Sequence, residues 1–218
     1  MKPYVVGIAG GSASGKTYLL SQLLAAFTPQ ELTLMSLDNY YKPASEQPKS
    51  PEGEINWDQP QALDLELCKR HLSRLIKGRR ASVQEWTFNN PNATPRTLQY
   101  LPAPILVLEG LFVYNDPELR RLFDLKVFID AEEHVKLSRR IRRDLVERNI
   151  PLEEVLNQYE THVVPMYHQH VEPFKYACDL ILPNNSVLGK GVEVLVSHLR
   201  LHLQGRPAYE SLAEGSED

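Results

Sequence analysis

The sequence predicts an α/β fold in which a parallel sheet is flanked by helices on both faces. Short apolar runs alternate with longer helical segments along the 218-residue chain, and this order is typical of parallel strands joined by crossover helices. A glycine-rich turn joins the first apolar run to the first helical segment. A small β-hairpin and a helical lid are predicted as additions to this sheet.

Five runs are predicted to be buried strands because they are short, apolar and partly β-branched. They span residues 5–9, 32–37, 105–108 and 127–129, with a weaker fifth run at 180–182. The predicted helices span residues 16–27, 63–76, 132–147 and 188–203. We expect these elements to form a single domain over residues 1–203.

Several further segments differ from this alternation of strands and helices. Residues 39–60 are polar and contain prolines, and long loops of this kind are often functional. Two short strand patterns around an asparagine-rich turn predict a hairpin at about 82–100, outside the main sheet. We expect the lid at about 132–162 and a disordered, acidic tail at 204–218.

The composition argues against several classes of protein. The net charge of −4 does not favour a polyanion binder, so no nucleic-acid partner is expected. Cys68 and Cys178 form no C-x-x-C pair, which favours a reducing, cytoplasmic compartment. The sequence shows no secretory signal and no apolar run near the span of about 18 residues that suggests a membrane helix. No membrane association is expected, and a homo-oligomer is left open.

The glycine-rich turn matches G-x-x-x-x-G-K-[ST] between a predicted strand and a predicted helix. Its residues are Gly10, Gly11, Ser12, Ala13, Ser14, Gly15, Lys16 and Thr17. Glycines let successive backbone N–H groups point at phosphates, and the helix N-terminus adds positive potential. Lys16 would reach the β- and γ-phosphates of ATP, and Thr17 would ligate Mg²⁺. The alternative is a turn that only connects strand and helix.

Two carboxylates follow predicted strands. Asp38 and Glu109 lie where the runs 32–37 and 105–108 end, and ligands collect at the carboxyl ends of parallel strands. Thr17, Asp38 and Glu109 could therefore converge on one Mg²⁺, and Asp38 could accept the proton of an attacking hydroxyl. A helix cap or a loop hydrogen bond is the alternative role for either carboxylate.

The helix predicted at 132–147 carries four arginines in five positions, Arg139, Arg140, Arg142 and Arg143. Guanidinium groups suit phosphate oxygens, so a lid that places them over the γ-phosphate would stabilise transition-state charge. A solvated face paired with nearby glutamates is the alternative, and both can hold on different faces of one helix.

Aromatic residues are concentrated in the two segments that interrupt the α/β alternation: Tyr40, Tyr41, Trp57, Trp86 and Phe88. They predict either a stacking platform for a planar ligand or ordinary packing of the loops.

His162, His168 and His170, with Cys178, match none of the common zinc frameworks. We therefore expect surface or packing roles for these histidines.

With these residues identified, the chain resembles the uridine–cytidine kinases over about residues 4–183. The markers that follow the glycine loop are Asp38-Asn39-Tyr40-Tyr41-Lys42, Trp57-Asp58-Gln59-Pro60, Asp64, Leu108-Glu109-Gly110, Arg139-Arg140-Ile141-Arg142-Arg143-Asp144, Gln158-Tyr159, Pro165-Met166 and Glu172-Pro173. The resemblance implies an ATP- and Mg²⁺-dependent kinase that phosphorylates the 5′-hydroxyl of uridine or cytidine, as in pyrimidine salvage.

The resemblance also implies roles for particular residues. Asp38 would be the catalytic base, with Thr17 and Glu109 holding Mg²⁺ directly or through water. Asp58 would bind the ribose hydroxyls. The nucleoside pocket would be lined by Tyr41, Trp57 and Phe88, with Trp86 at the position of a family tyrosine. Arg140, Arg143 and Gln158 would belong to the lid and the acceptor site.

Three departures from the family pattern concern the acceptor. The hairpin reads Gln84-Glu85-Trp86-Thr87-Phe88 where the family usually has Pro-Val-Tyr-Asp-Phe, and the base-reading histidine is missing from 89–92. The lid motif Glu-Arg-Gly-Arg reads Glu147-Arg148-Asn149-Ile150.

Because of these changes, a second function is an alternative: a sister P-loop kinase that acts on another small hydroxyl compound, such as a vitamin precursor, glycerate or a sugar phosphate. Arg96 is the one basic residue within the predicted hairpin, which favours an uncharged acceptor. A GTPase switch is disfavoured because the chain lacks N-K-x-D and D-x-x-G strings. A nucleotide-binding regulator without turnover is disfavoured because Lys16, Asp38, Glu109 and the arginines are retained.

Overall fold

Five parallel strands form the central sheet of the computed structural model, which describes residues 2–49, 53, 55–87 and 94–205. In chain order these strands are β1 (Tyr4–Gly10), β2 (Leu32–Ser36), β5 (Ile105–Glu109), β6 (Leu125–Asp130) and β7 (Leu180–Pro183). Their order across the sheet is β2-β5-β1-β6-β7. All five predicted strands are confirmed, with bounds that differ by at most two residues.

Helices connect these strands and cover both faces of the sheet. They are α1 (Lys16–Ala26), α2 (Leu65–Ile76), α3 (Pro117–Arg120), α4 (Glu133–Glu147), α5 (Leu152–Gln158), α6 (Val164–His170) and α7 (Gly189–Leu203). The four predicted helices correspond to α1, α2, α4 and α7. The predicted start of α2 at residue 63 was early because Asp64 is its N-cap, whose side chain accepts a hydrogen bond from the backbone N–H of Leu67.

The two faces of the sheet bury separate apolar clusters. Alternate β1 residues point to opposite faces: Val5 joins the cluster under α2 and the hairpin, and Val6 joins the cluster under α1 and α7. The sheet is therefore sandwiched between helical layers, which leaves its carboxyl-terminal edge as the place where loops can form a site.

The predicted hairpin lies outside the main sheet. Strands β3 (Ala81–Gln84) and β4 (Thr97–Tyr100) pair antiparallel, and the apolar side of β3 packs on the cluster that contains α2. Residues 88–93 at the tip lie outside the described residues, and Phe88 with the asparagines of the turn falls among them. The predicted tail also lies outside the described residues beyond 205.

The chain after α4 stays helical beyond 162, where the predicted helical lid ends. α5 runs into a π-helical turn, Tyr159–Val163, and that turn runs into α6. A Pro at residue 165 and β-branched residues at 161, 163 and 164 weaken the helical signal of this stretch. Among the described residues, no helix is long and apolar enough to cross a membrane.

Candidate active site

The glycine loop between β1 and α1 is fixed by a distant side chain. Gly15 has a φ of 108°, a left-handed conformation that glycine adopts without strain, and a Cβ at this position would collide with Nδ2 of Asn184. Asn184 follows β7, and its Nδ2 donates to the carbonyl oxygen of Ser14 at 2.7 Å. The loop is therefore held by a residue 170 positions away, which the loop motif gave no reason to expect.

Lys16 begins α1 and turns back over the loop. Its Nζ donates to the carbonyl oxygens of Gly10 at 2.9 Å and Gly11 at 3.1 Å. Burial lowers the pKa of Lys16, and the charges of Glu109 and Asp38 oppose that shift. The lysine is therefore within electrostatic range of both predicted carboxylates. Thr17, at the same helix end, is exposed, so its hydroxyl is accessible from the loop.

The register of the sheet brings the two predicted carboxylates together. Ser36 of β2 is paired with Glu109 of β5, and Glu109 is paired with Ile8 of β1. The Ser36 hydroxyl donates to Oε1 of Glu109 at 2.5 Å and accepts from the backbone N–H of Asp38 at 3.2 Å. One serine hydroxyl thus links both carboxylate residues, and sequence analysis missed this role of Ser36.

The two carboxylates share a buried environment. Burial raises the pKa of Glu109 to about 7, and the charge of Asp38 adds to that rise. Burial also raises the pKa of Asp38, while Lys16 is the main opposing charge. A divalent cation would offset the repulsion between the two groups, and carboxylate and hydroxyl oxygens are the donors that Mg²⁺ prefers. The described residues include no group of three or more His, Cys, Asp or Glu side chains suited to a metal.

Helix α4 presents several arginines to one buried carboxylate. Asp144 is 1 % exposed and forms ion pairs with Arg140 at 3.2 Å, Arg143 at 2.8 Å and Arg148 at 3.3 Å. Arg140 also donates from Nη1 to the Ser12 hydroxyl of the glycine loop at 3.1 Å. Asp144 therefore positions guanidinium groups next to the loop.

The other two arginines of α4 face elsewhere. Arg142 is exposed, and Arg139 donates from Nη1 to the carbonyl oxygen of Asn184 at 2.9 Å. The helix thus has an inner face that contacts the glycine loop through Arg140 and an exposed outer face that carries Arg142.

Three of the predicted aromatic side chains form one cluster. The ring centroids of Tyr41, Trp57 and Trp86 lie 5.4–5.7 Å from one another. Burial raises the pKa of the Tyr41 phenol, and the charges of Asp38 and Asp58 add to the rise. The Tyr41 side of the cluster is therefore within electrostatic range of Asp38 and Asp58. Tyr40 is not part of this cluster, because it is buried and its hydroxyl contacts Nδ1 of His71 at 3.1 Å.

Asp58 lies on the same side of the site as this cluster. Its backbone N–H donates to Oδ1 of Asn56 at 3.0 Å, which orders the end of the long loop. Burial raises the pKa of the Asp58 carboxyl, and the charges of Arg140 and His162 oppose that rise. These opposing charges belong to α4 and to the helical segment that follows it.

Asn39 joins the long loop to the hairpin. Its Oδ1 accepts from the backbone N–H of Trp86 at 3.0 Å, and its Nδ2 donates to the Tyr100 hydroxyl at 3.3 Å. In the sequence, Asn39 was identified only as part of a family marker, yet in the structure it holds Trp86 near Asp38.

Gln158, which was predicted to belong to the lid and the acceptor site, donates from Nε2 to Oε1 of Glu154 at 3.0 Å on the outside of α5.

Comparison with known proteins supports a relationship over most of the chain. The model of the phosphoribulokinase / uridine kinase family matches residues 5–188. A uridine kinase from Streptococcus agalactiae is 35 % identical over 182 residues, which are 84 % of this chain and 87 % of that protein. Uridine-cytidine kinase A from Dictyostelium discoideum is 34 % identical over 204 residues, which are 94 % of this chain and 40 % of that protein.

A solved structure described as a possible uridine kinase from Bacillus stearothermophilus has a TM-score of 0.59 at 17 % identity. The match covers 83 % of this chain and 89 % of that chain. At this level of identity the likeness concerns the fold, and it confirms the predicted P-loop kinase architecture of a parallel sheet flanked by helices.

Replacing Asp144 with Asn should destabilise the protein, because the guanidinium groups around it would lose their shared counter-charge. Breaking a fully buried ion pair typically costs roughly 3–5 kcal/mol. We expect about 2–4 kcal/mol in the free energy of unfolding, since Arg143 and Arg148 reach solvent. Urea denaturation would measure the change. Glu147→Gln, at the exposed end of α4, is the matched control, and equal losses in both variants would contradict the role of Asp144.

Proposed function

We propose that this chain, which belongs to the phosphoribulokinase / uridine kinase family and is an ATP-dependent kinase, phosphorylates the 5′-hydroxyl of uridine and cytidine. One observation carries the proposal. Asp38 is linked through the Ser36 hydroxyl to Glu109 at the sheet edge where the glycine loop begins, and the adjacent Asn39 holds Trp86 of the aromatic cluster. A carboxylate in this position is suited to lie between a phosphate donor and an alcohol acceptor.

The donor side consists of the glycine loop, Lys16 and the inner arginines of α4. The loop N–H groups and Lys16 would bind the phosphates of ATP. Arg140 contacts the loop through Ser12, and Arg143 is paired with the same Asp144. These contacts support a role for both in stabilising charge on the γ-phosphoryl group during transfer. Bound by Thr17, Asp38 and Glu109, Mg²⁺ would neutralise phosphate charge and help to align the reacting oxygens.

On the acceptor side, Asp38 would act as the general base. Burial raises its pKa, which makes the carboxylate a better proton acceptor than an exposed aspartate. The charge of Lys16 opposes that rise in pKa and so favours the ionised form of Asp38. The proton of the nucleoside 5′-hydroxyl would pass to Asp38 as the hydroxyl oxygen attacks the γ-phosphorus. The bond between the γ-phosphorus and the β,γ-bridging oxygen would break, and ADP would leave.

The nucleoside would occupy the space between the aromatic cluster and Asp58. Tyr41, Trp57 and Trp86 offer ring faces and edges for a planar base, and Asp58 can accept hydrogen bonds from ribose hydroxyls. Trp86 stands where the family usually has a tyrosine, and the family's base-reading histidine is missing. The pocket therefore has fewer polar groups that can select the base. We therefore propose a pocket that holds the base mainly through apolar contacts.

A coupled ADP-release assay tests the proposed function. Uridine and cytidine would be compared with a panel of other alcohols that includes a vitamin precursor, glycerate and a sugar phosphate. We expect turnover of both nucleosides, with kcat/KM values that differ by less than roughly a hundredfold, because apolar pockets discriminate only about 10–200-fold. Exclusive use of uridine would show that another polar group reads the base. Turnover of a different alcohol alone would replace the proposal with a sister kinase.

Asp38→Asn keeps the shape of the side chain and removes its charge. General-base catalysis typically contributes about 10²–10⁴ in rate, so we expect kcat to fall by at least about a hundredfold. ATP binding, measured by calorimetry, should survive, because the glycine loop and Lys16 are unchanged. A kcat within a few-fold of the parent protein would exclude this role for Asp38.

The two faces of α4 provide an internal comparison. Arg140→Ala and Arg143→Ala should lower kcat more than they lower ATP affinity, since their charge matters most as the γ-phosphoryl group is transferred. Arg142→Ala, on the exposed face, is the matched control and should change kcat little. Steady-state kinetics with varied ATP would show the split. Equal effects at all three positions would indicate a general electrostatic effect of the helix.

A further inference from the structure

Gly11 lies in the glycine loop at a position where the motif G-x-x-x-x-G-K-[ST] allows any residue. Unlike Gly15, it is not among the glycines with a positive φ, so its backbone conformation is open to other residues. A Cβ added at Gly11, however, would lie 3.1 Å from Cε2 of Tyr167 and 3.2 Å from Cδ of Lys136, which is closer than an optimal carbon–carbon contact. Glycine is therefore favoured here by the side chains that pack on it.

Lys136 and Tyr167 come from two different helices and contact each other directly. Lys136 is near the start of α4, and Tyr167 is in α6. Nζ of Lys136 lies 3.7 Å from the centroid of the Tyr167 ring, which is the geometry of a close cation–π contact. These two side chains, packed together on Gly11, are called the loop clamp below.

The ammonium group of Lys136 has the Tyr167 ring as its direct partner. The residue is 7 % exposed, and no carboxylate in the described part of the chain forms an ion pair with it. Burial lowers the pKa of Lys136, and the charges of Glu133 and Asp130 oppose that shift. A buried charge is costly without a partner, and a cation–π contact is stronger where water is excluded. The contact therefore holds the two side chains together against the loop.

A small cavity lies beside the loop clamp. It is lined by Gly11 and Ser12 of the loop, by Lys136 and Tyr167, and by residues of the π-helical turn. Without the clamp, the backbone of residues 11 and 12 would have room to move into this space. The N–H groups of the loop would then have to be ordered when a phosphate binds, and such ordering lowers affinity.

We propose that Lys136 and Tyr167 are positioning residues for the phosphate donor, because they hold Gly11 and keep the loop in its phosphate-binding conformation before ATP binds. Each acts through the backbone of Gly11. Lys136 is also four residues before Arg140, on the same face of α4, so the clamp fixes the face from which Arg140 reaches Ser12. The inference rests on the donor side of the proposed function and is independent of the acceptor.

Variants of the clamp test the inference with Mg-ATP as the only ligand. Lys136→Met keeps most of the stem that packs on Gly11 and removes the cation, and Tyr167→Leu removes the ring. We expect each to raise the Kd for ATP, measured by calorimetry, roughly 3- to 30-fold, the range that corresponds to a desolvated cation–π contact. Lys136→Arg and Tyr167→Phe, which keep the cation and the ring face, should retain most of the affinity.

Lys175 and Tyr176 provide the matched control. Nζ of Lys175 lies 5.5 Å from the centroid of the Tyr176 ring, and Tyr176 is 83 % exposed. Tyr176→Leu therefore removes a looser contact of the same kind and should bind ATP like the parent protein. In steady-state kinetics, Lys136→Met and Tyr167→Leu should raise the KM for ATP and leave the KM for the acceptor unchanged, a split that general destabilisation would not produce.

Gly11→Ala separates the clamp from the general packing of the helices. In the parent protein the added methyl group meets the ring and the lysine stem, so ATP binding should weaken. In the Tyr167→Leu background the methyl group has space and should cause little further loss. Equal losses in both backgrounds, or parent-like ATP affinity in Lys136→Met and Tyr167→Leu, would overturn the inference. If Tyr167→Leu fails to fold by thermal denaturation, the comparison of Lys136→Met with Lys136→Arg decides.

Binding of Mg-ATP needs no acceptor, so the inference and the proposed function can fail separately. A parent protein that binds ATP through the clamped loop but uses only a different alcohol would contradict the proposed acceptor and support the inference. A parent protein that binds no ATP would overturn the donor side of the proposed function and the inference with it.

Discussion

The parallel pairing of β2, β5 and β1 holds Ser36, Glu109 and Ile8 at one level of the sheet, and the geometry of the site follows from that register. Because Ser36 is level with Glu109, its hydroxyl can bond to that carboxylate and also to the backbone that carries Asp38. The glycine loop leaves β1 at the same edge. A shift of one residue in either pairing would turn Glu109 to the opposite face of the sheet and separate it from Lys16.

Charged side chains are concentrated at this edge of the sheet. They form two groups, and within each group acidic and basic residues offset one another's charge. On the floor of the site, Lys16 lies among Asp38 and Glu109. On the opposite side, Asp144 forms ion pairs with Arg140 and Arg143 of α4 and with Arg148, the residue that follows this helix. Buried ion pairs of this kind add little net stability because desolvation offsets attraction. Their contribution is to hold cationic groups in position before a phosphate ligand binds, which is the arrangement that electrostatic catalysis requires.

The acceptor side depends on contacts between segments that are distant in the sequence. Asn39 ties the hairpin to the end of β2, and this contact brings Trp86 to the ring cluster with Tyr41 and Trp57.

By itself the sequence determined the five strands, the main helices, the glycine loop and the carboxylates at the strand ends, because each depends on a local pattern of apolar, glycine and charged residues. The hairpin was predictable for the same reason. Only the tertiary structure decided that Asn184 supports the loop, that Ser36 links Asp38 to Glu109 and that Asp144 forms ion pairs with the arginines. These contacts join residues up to 170 positions apart, and a single asparagine, serine or aspartate carries no local signal of its partner. The side chains opposite each residue are fixed only when the sheet register and the helix packing bring them together.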